Sequence, residues 1–326
     1  MATMIDDVLR GQLVNRQQKL AAVVAASGES SQLMQLLQEV DAALERADEG
    51  SYGLCEVCQD PIEAERLIAD PVASVCLGCL TPSQQRALEQ DLQLAALIQE
   101  GLLPCRNFAV DGWRVSFHYE AATLVGGDYC DVLEGTDGSL YFMLGDVSGK
   151  GVAASMLMSH LHAMFRTLIP VGLPLGEMLE RASRVFCEST LPTHYATLVC
   201  GRASKTGEVE ICNAGHLPPL LLHDGEVTSI AATGLPLGVF CNEQFTVNRL
   251  WMAEGDTLLL YTDGLSEALN HAGTEYGPER LANLIKASNT PTPESLIGVC
   301  RDDLTNFLAG APKFDDLTIM AIRRQN

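Results

Sequence analysis

Three things are scarce in this 326-residue chain, and each scarcity removes a class of function. No run of 18 apolar residues exists, so no membrane-spanning helix is expected. Basic residues are few: 21 Lys and Arg stand against 42 Asp and Glu, a net charge of −21. Non-specific nucleic-acid binding rests on phosphate neutralisation by cations, and no local basic patch offsets this balance. Nucleic acid is therefore disfavoured as a partner. Finally, none of the eleven cysteines has Arg at the sixth position after it, which excludes a C-x5-R cysteine phosphatase. The first turns carry Asp6, Asp7 and Arg10 and do not resemble a signal peptide. A cytoplasmic protein is the expectation.

What is present is acidic residues placed on apolar runs. Leu140–Gly151 (LYFMLGDVSGKG) begins as a buried strand and brings Asp146 to its tip before a helical pattern, Val152–Leu168. Val125–Asp131 (VGGDYCD), Leu258–Glu267 (LLLYTDGLSE) and Phe314–Met320 (FDDLTIM) repeat the design. Carboxylates that converge without Lys or Arg beside them repel, unless a hard cation sits among them. We read a carboxylate site for two Mg2+ or Mn2+ ions.

The remaining pattern divides the chain into three: a helical hairpin with a finger at 1–81, a connecting helix at 82–104, and a mixed α/β domain at 105–326. Apolar spacing predicts helices over Met4–Ala26 and Ser30–Glu49, broken at Ser27–Ser30. Cys55, Cys58, Cys76 and Cys79 form C-x2-C-x17-C-x2-C, a closed four-thiolate shell for one structural Zn2+. The seven other cysteines are scattered, which suits a reducing compartment rather than a disulfide framework. The module at 1–81 is itself acidic, with no surplus of cations for reading DNA.

The stretch VDAALERADEGSYGLCEVC, with Ile62, Arg66-Leu67, Asp70-Pro71 and CLGC, resembles the DksA/TraR-type zinc-finger family. That family enters the RNA polymerase secondary channel with acidic residues at its hairpin tip. Here the tip reads AASGESS, with Glu29 and no Asp. A sensory or docking module is the primary reading, and an RNA polymerase-binding regulator the alternative.

Thr81-Pro82 opens the connecting helix. Leu88, Leu92, Ala95, Gln99 and Leu102 step by 4, 3, 4 and 3, a short seam with one polar position at Gln99. A homodimer through residues 82–104 is expected from it.

Beyond it, strands are predicted at Gly112–Ala121, Ala196–Arg202, Glu208–Asn213, Pro219–His223, Thr246–Met252, Asp256–Tyr261 and Leu317–Arg323. Helices are predicted at Val152–Leu168, Pro174–Ser189, Pro278–Ala287 and Pro293–Leu308. The fold class is α+β, two packed sheets with helices outside.

The order LQLAALIQEGLLP, GGDYCD, GDVSGKG, NAGHLPPLLL, TGLPLGV, GDTLLLYTDGLSEA and FDDLTIMAIRR, over about residues 92–324, resembles the SpoIIE-type branch of the PPM family. These are Mg/Mn-dependent serine/threonine protein phosphatases, with an αββα sandwich around a binuclear metal centre. The resemblance implies a phosphoserine or phosphothreonine protein substrate such as an anti-sigma factor antagonist. It also implies metal ligands at Asp128, at Asp146 as the bridge, at the Val147 carbonyl, at Asp263 and at Asp315. Asp316 is the weaker member of its pair, and Asp131 and Glu267 are assigned to a peripheral metal or water shell. A non-enzymatic docking protein with a decayed centre would have lost Asp128, Asp146, Asp263 or Asp315, and all are present.

Where this family commonly has His near the bridging Asp, the chain has Lys150, read as a solvated helix start. Cys130, His160 and His162 are read as packing residues, Met156, Met158 and Met164 as core, and His216 as ordering its loop.

Overall fold

The computed structural model describes residues 10–11, 13–14, 16–18, 20–21, 31–191, 193–288 and 292–325. The chain divides into two compact units, 1–90 and 91–326. The hairpin tip with Glu29 and the ends of the expected Met4–Ala26 helix lie outside the described residues.

In the first unit, the described residues between 10 and 21 are helical and pack against the helix Ser31–Glu49. Leu13, Val40 and Ala43 share the buried seam. Arg10 pairs with Asp48 and Gln17 with Asp41, at 2.5 Å each. As one number rises the other falls, so the two helices run antiparallel. The finger follows, built on a short helix, Ala64–Ala69, and, among the described residues, a small buried core of Cys55, Ile62, Leu67 and Ala73 with Tyr52 and Val75 packed against it.

The second unit is two antiparallel sheets between two layers of helices. β1 (Asn107–Val110), β2 (Trp113–Glu120), β7 (Leu220–His223), β8 (Glu226–Ser229), β10 (Thr257–Tyr261) and β11 (Leu317–Arg324) make one sheet, in the order β1-β2-β11-β10-β7-β8. β3 (Tyr129–Glu134), β4 (Leu140–Val147), β5 (Ala196–Ala203), β6 (Glu208–Ala214) and β9 (Asn248–Trp251) make the other, in the order β3-β4-β5-β6-β9.

The apolar runs are continuous because both faces of each central strand are covered. In β4, Phe142 and Leu144 face the inter-sheet core beside Phe117 and Met320, whereas Tyr141, Met143 and Val147 face the helices Gly151–Leu168 and Leu175–Ser189. In β10, Leu258 and Leu260 point between the sheets. Leu259 and Tyr261 point to the helices Pro278–Ala287 and Pro293–Leu308. The layers are αββα, as expected.

Three expectations change. Met156 is 68% exposed, two residues from the buried Met158 and thus on the far side of the helix, so only Met158 and Met164 fill the core. Two of the scattered cysteines, Cys187 and Cys241, form a disulfide that ties the helix Leu175–Ser189 to the loop after Leu237. The seam position Gln99, on the helix Pro82–Leu102, is 4% exposed and turned into the second unit. Its Nε2–H donates to the Gly126 carbonyl at 2.7 Å, and its Oε1 accepts the Gly126 N–H at 3.0 Å. Leu102, at the end of the same seam, packs against the core. Leu94, Leu97 and Ile98 are exposed on that helix, as is the seam residue Leu88. Among the described residues, no helix is long and apolar enough to cross a membrane.

Candidate metal centre

An antiparallel pair puts the end of one strand beside the start of the next, which is how four separate motifs reach one edge of the sandwich. Asp146 is near the end of β4, and Asp128 lies just before its partner β3, where Tyr129 faces Gly145. Asp263 follows β10, and Asp315 and Asp316 precede β11, where Tyr261 faces Ile319. Three of these aspartates, Asp128, Asp315 and Asp316, therefore precede strands rather than end them.

The motif glycines serve this approach. A Cβ on Gly126 would meet Asp316 Oδ2 at 2.5 Å, and one on Gly127 would meet the Val147 carbonyl oxygen at 3.0 Å. A Cβ on Gly264 would lie 2.0 Å from the Asp316 carbonyl oxygen. A side chain at Gly126 would push the GGD loop from Asp316, and one at Gly264 would push apart the turns after β10 and before β11.

Electrostatics identify the neighbours. Burial raises the Asp146 carboxyl to about 7, and Asp263, Asp315 and Asp316 add to the rise. Burial also lifts Asp263, helped by Asp315 and Glu267. Asp128 is 1% exposed, and burial holds its carboxyl well above the usual range. Two hydroxyls oppose that: Thr318 and Thr262 donate to Asp128 Oδ2 at 2.5 and 2.9 Å. Both threonines sit beside a motif aspartate yet give no periodic signal, and reading the sequence missed them.

Asp316 directs both oxygens to backbone, accepting from Ala122 N–H at 2.7 Å and Gly127 N–H at 2.6 Å. It clasps the GGD loop and leaves Asp315 as the more open carboxylate. The expectation of carboxylates without a neighbouring cation does not hold at Asp315. Lys150 Nζ donates to Asp315 Oδ2 and to the Phe314 carbonyl, both at 2.8 Å. Lys150 is the exposed start of the helix Gly151–Leu168, as expected, and also an ion-pair partner of Asp315.

Asp131 stands apart. Arg166 grips its fully buried carboxylate with two bonds, Nε to Oδ2 at 2.7 Å and Nη2 to Oδ1 at 2.6 Å. A carboxylate held by a guanidinium fork pins β3 to the helix above it and is no peripheral metal ligand. Glu267 does line the cleft shared by Asp146 and Asp263. Cys130 is buried in the inter-sheet core, and burial raises its thiol far above the reactive range. His160 stacks on Phe186, and His162 lies 3.5 Å from Asp131, so neither histidine joins the centre.

His216 lines the same cleft, and burial pushes its imidazole down to about 4, leaving it neutral near pH 7.

Hard oxygen donors crowded at one edge, each raising the next, with a lysine ammonium already drawn in, fit Mg2+ or Mn2+. Only the four cysteines of the finger bring three or more ligand atoms within 4.8 Å of one another, among the described residues. Backbone N–H groups of Cys58 and Cys76 lower the Cys55 thiol to about 6, while crowding by Cys76 and Cys58 raises Cys79 to about 12. A cation among four such sulfurs removes that repulsion, so the set fits zinc.

Residues 136–325 match the family model for stage II sporulation protein E (SpoIIE), and residues 50–85 match the prokaryotic dksA/traR C4-type zinc finger. The chain is 26% identical to Protein IcfG of Synechocystis over 264 residues, 72% of this chain and 41% of that protein. It is 28% identical to the phosphoserine phosphatase RsbP of Bacillus subtilis over 188 residues, 55% of this chain and 46% of that protein. It thus spans less than half the length of either relative. The crystal structure of the RsbU and RsbW domains of Rv1364c from Mycobacterium tuberculosis superposes with a TM-score of 0.57 and 32% identity, covering 66% of this chain and 61% of that one. With more than half its length matched, two antiparallel sheets flanked by helices, and the C4 finger ahead of them, this chain belongs to the SpoIIE family.

Proposed function

We propose that this chain is a metal-dependent protein phosphatase acting on phosphoserine or phosphothreonine of a regulatory protein, such as an anti-sigma factor antagonist. The observation that carries it is the meeting of Asp128, Asp146, Asp263 and Asp315 at one sandwich edge, each acidic group raising or facing the next. The likeness to a phosphoserine phosphatase supports the substrate class.

Asp128, Asp146, Asp263, Asp315 and the Val147 carbonyl would hold two Mn2+ or Mg2+ ions, with Asp146 between them and Asp316 as a weaker candidate. Such ions, when bound, lower the pKa of a water and neutralise phosphate oxygens for in-line attack on phosphorus. Thr262 and Thr318 hold Asp128 in one orientation, and Asp316 holds the loop that carries it. Lys150 shares Asp315 and would yield it, or keep one oxygen, when a cation arrives.

The finger at 1–81, with one structural Zn2+, would act as the regulatory module, and the helix at 82–104 would connect it to the phosphatase domain at 105–326. A zinc-type set of four thiolates, with one disulfide at Cys187–Cys241 rather than a disulfide framework, is our reason for assigning the chain to the cytoplasm.

Hydrolysis of a phosphoserine peptide should require added Mn2+ or Mg2+. Release of inorganic phosphate measured across a metal titration is the test, and full turnover in metal-stripped buffer would exclude the mechanism.

A homodimer through the connecting helix is a second part of this reading. It is supported by the exposed Leu94, Leu97 and Ile98, at i, i+3 and i+4 on one face, and no longer by the seam that contains Gln99. Leu97→Glu should shift sedimentation from dimer to monomer by placing like charges across a two-fold contact. Identical sedimentation of wild type and variant would remove it.

A further inference from the structure

We propose that His216 is a positioning residue for the metal centre, its ring fixing the distance between the strand that presents Asp146 and the strand that leads into Asp263. This rests on the metal-dependent reading above.

The chain crosses from one sheet to the other between the end of β6 at Ala214 and the start of β7 at Leu220. His216 lies in that crossing and is 6% exposed. Its ring touches both sheets. Nδ1 is 2.8 Å from Thr197 Oγ1, on β5 of the five-stranded sheet. Nε2 is 3.2 Å from the carbonyl oxygen of Tyr261, the last residue of β10 in the six-stranded sheet. A carbonyl only accepts, so Nε2 carries the proton, and Nδ1 accepts from the threonine hydroxyl. Both nitrogens are then used, and the ring offers substrate neither an acid nor a base.

The two anchors sit next to the aspartates. Thr197 faces Asp146 across the β4–β5 ladder, with Oγ1 3.4 Å from the Asp146 carbonyl oxygen. Tyr261 is two residues before Asp263. The imidazole is held from behind as well. Its backbone N–H donates to Asn213 Oδ1 at 2.8 Å, and the buried Asn213 in turn donates its N–H to Thr233 Oγ1 at 2.9 Å. Gly215 allows this turn: its φ is +67°, and a Cβ there would meet Pro236 at 2.7 Å.

A tie is needed here because Asp146 and Asp263 repel, each on a different sheet. On the other side, Asp128 already links the sheets through Thr262 and Thr318, but those bonds use a carboxylate oxygen of the centre itself. His216 links the sheets through groups that no metal ion competes for. Aspartates drawn from both sheets would have to meet a cation within about 0.2 Å of ordinary ligand distances, so the spacing of the sheets matters.

The test uses the full chain and Mn2+ as the probe, measured by calorimetry without substrate. His216→Phe keeps a ring but loses both hydrogen bonds, and His216→Gln retains an amide N–H for Tyr261. His216→Phe should weaken Mn2+ binding by about 10- to 100-fold, the usual effect of losing a partner behind the ligands. His216→Gln should fall between it and wild type. At saturating Mn2+, both should regain kcat to within a few-fold, with the phosphopeptide KM unchanged.

Wild-type Mn2+ affinity in both variants would overturn the proposal. So would normal Mn2+ affinity with kcat lost at saturation, since the ring would then act on substrate. If His216→Phe does not fold, His216→Gln decides alone. Asp146→Asn separates the two levels: if it binds Mn2+ like wild type, the centre itself is misassigned. If it loses Mn2+ while both His216 variants keep it, only the role of His216 fails.

Discussion

Asp146→Asn should abolish Mn2+-dependent phosphate release, by more than about a hundredfold, the loss that a partner behind the ligands can already cause. It should also make the metal-free protein more stable at neutral pH. The sign follows from the carboxyl's environment. Burial and three neighbouring aspartates raise Asp146 from an ordinary carboxylate value to about 7 in the folded chain. A group raised on folding contributes stability below its unfolded pKa and loses that contribution as pH climbs through the folded value. Wild type without Mn2+ or Mg2+ should therefore lose stability between about pH 4 and pH 7 from this group, up to on the order of 4 kcal/mol. Asp146→Asn cannot ionise and should escape the loss. Thermal melting in metal-stripped buffer should place the variant several degrees above wild type at pH 7.5, with the gap closing toward pH 5. A variant that melts lower than wild type at pH 7.5, or still turns over, would remove Asp146 from the centre.

Cys55→Ser should release zinc and unfold the finger while sparing residues 91–326. The finger's apolar core is four small or medium side chains, Cys55 among them, too little to order a segment of this length. Structural zinc supplies on the order of 10 kcal/mol to such domains, so loss of one ligand removes most of what holds it. Residues 91–326 have three large cores of their own and should keep their melting transition. Metal analysis should show one zinc per chain lost, and limited proteolysis should cut within 50–81 alone. Retention of one zinc per chain would mean that the ligand set is wrong.

In the DksA/TraR-like finger, the C4 spacing alone named the four cysteines whose sulfurs converge within 4.8 Å, because two C-x2-C knuckles are a local geometry that a short segment closes by itself. The central strands were legible for a related reason. LYFMLGDV, TLLLY and LTIMAIRR are apolar on both faces, and a strand sandwiched between a second sheet and a helix layer needs that run. The motif aspartates were likewise visible as acidic residues where apolar runs begin or end. The four-residue edge strands β1 and β8 were missed: they have one covered neighbour, are partly exposed, and show no alternation.

Only the tertiary structure decided who pairs with whom. Lys150 reaches Asp315, Arg166 takes Asp131 out of the ligand set, and Gln99 leaves a heptad position to hold Gly126. Thr262 and Thr318 converge on Asp128, Cys187 joins Cys241, and His216 bridges Thr197 to Tyr261. Periodicity reports which face of an element is covered, over a few residues. It holds no information on which group, tens or hundreds of residues away, the fold will bring within hydrogen-bonding distance. A polar side chain in a buried position has to find such a partner, so its role is set by the packing of the sheets and not by its neighbours in sequence.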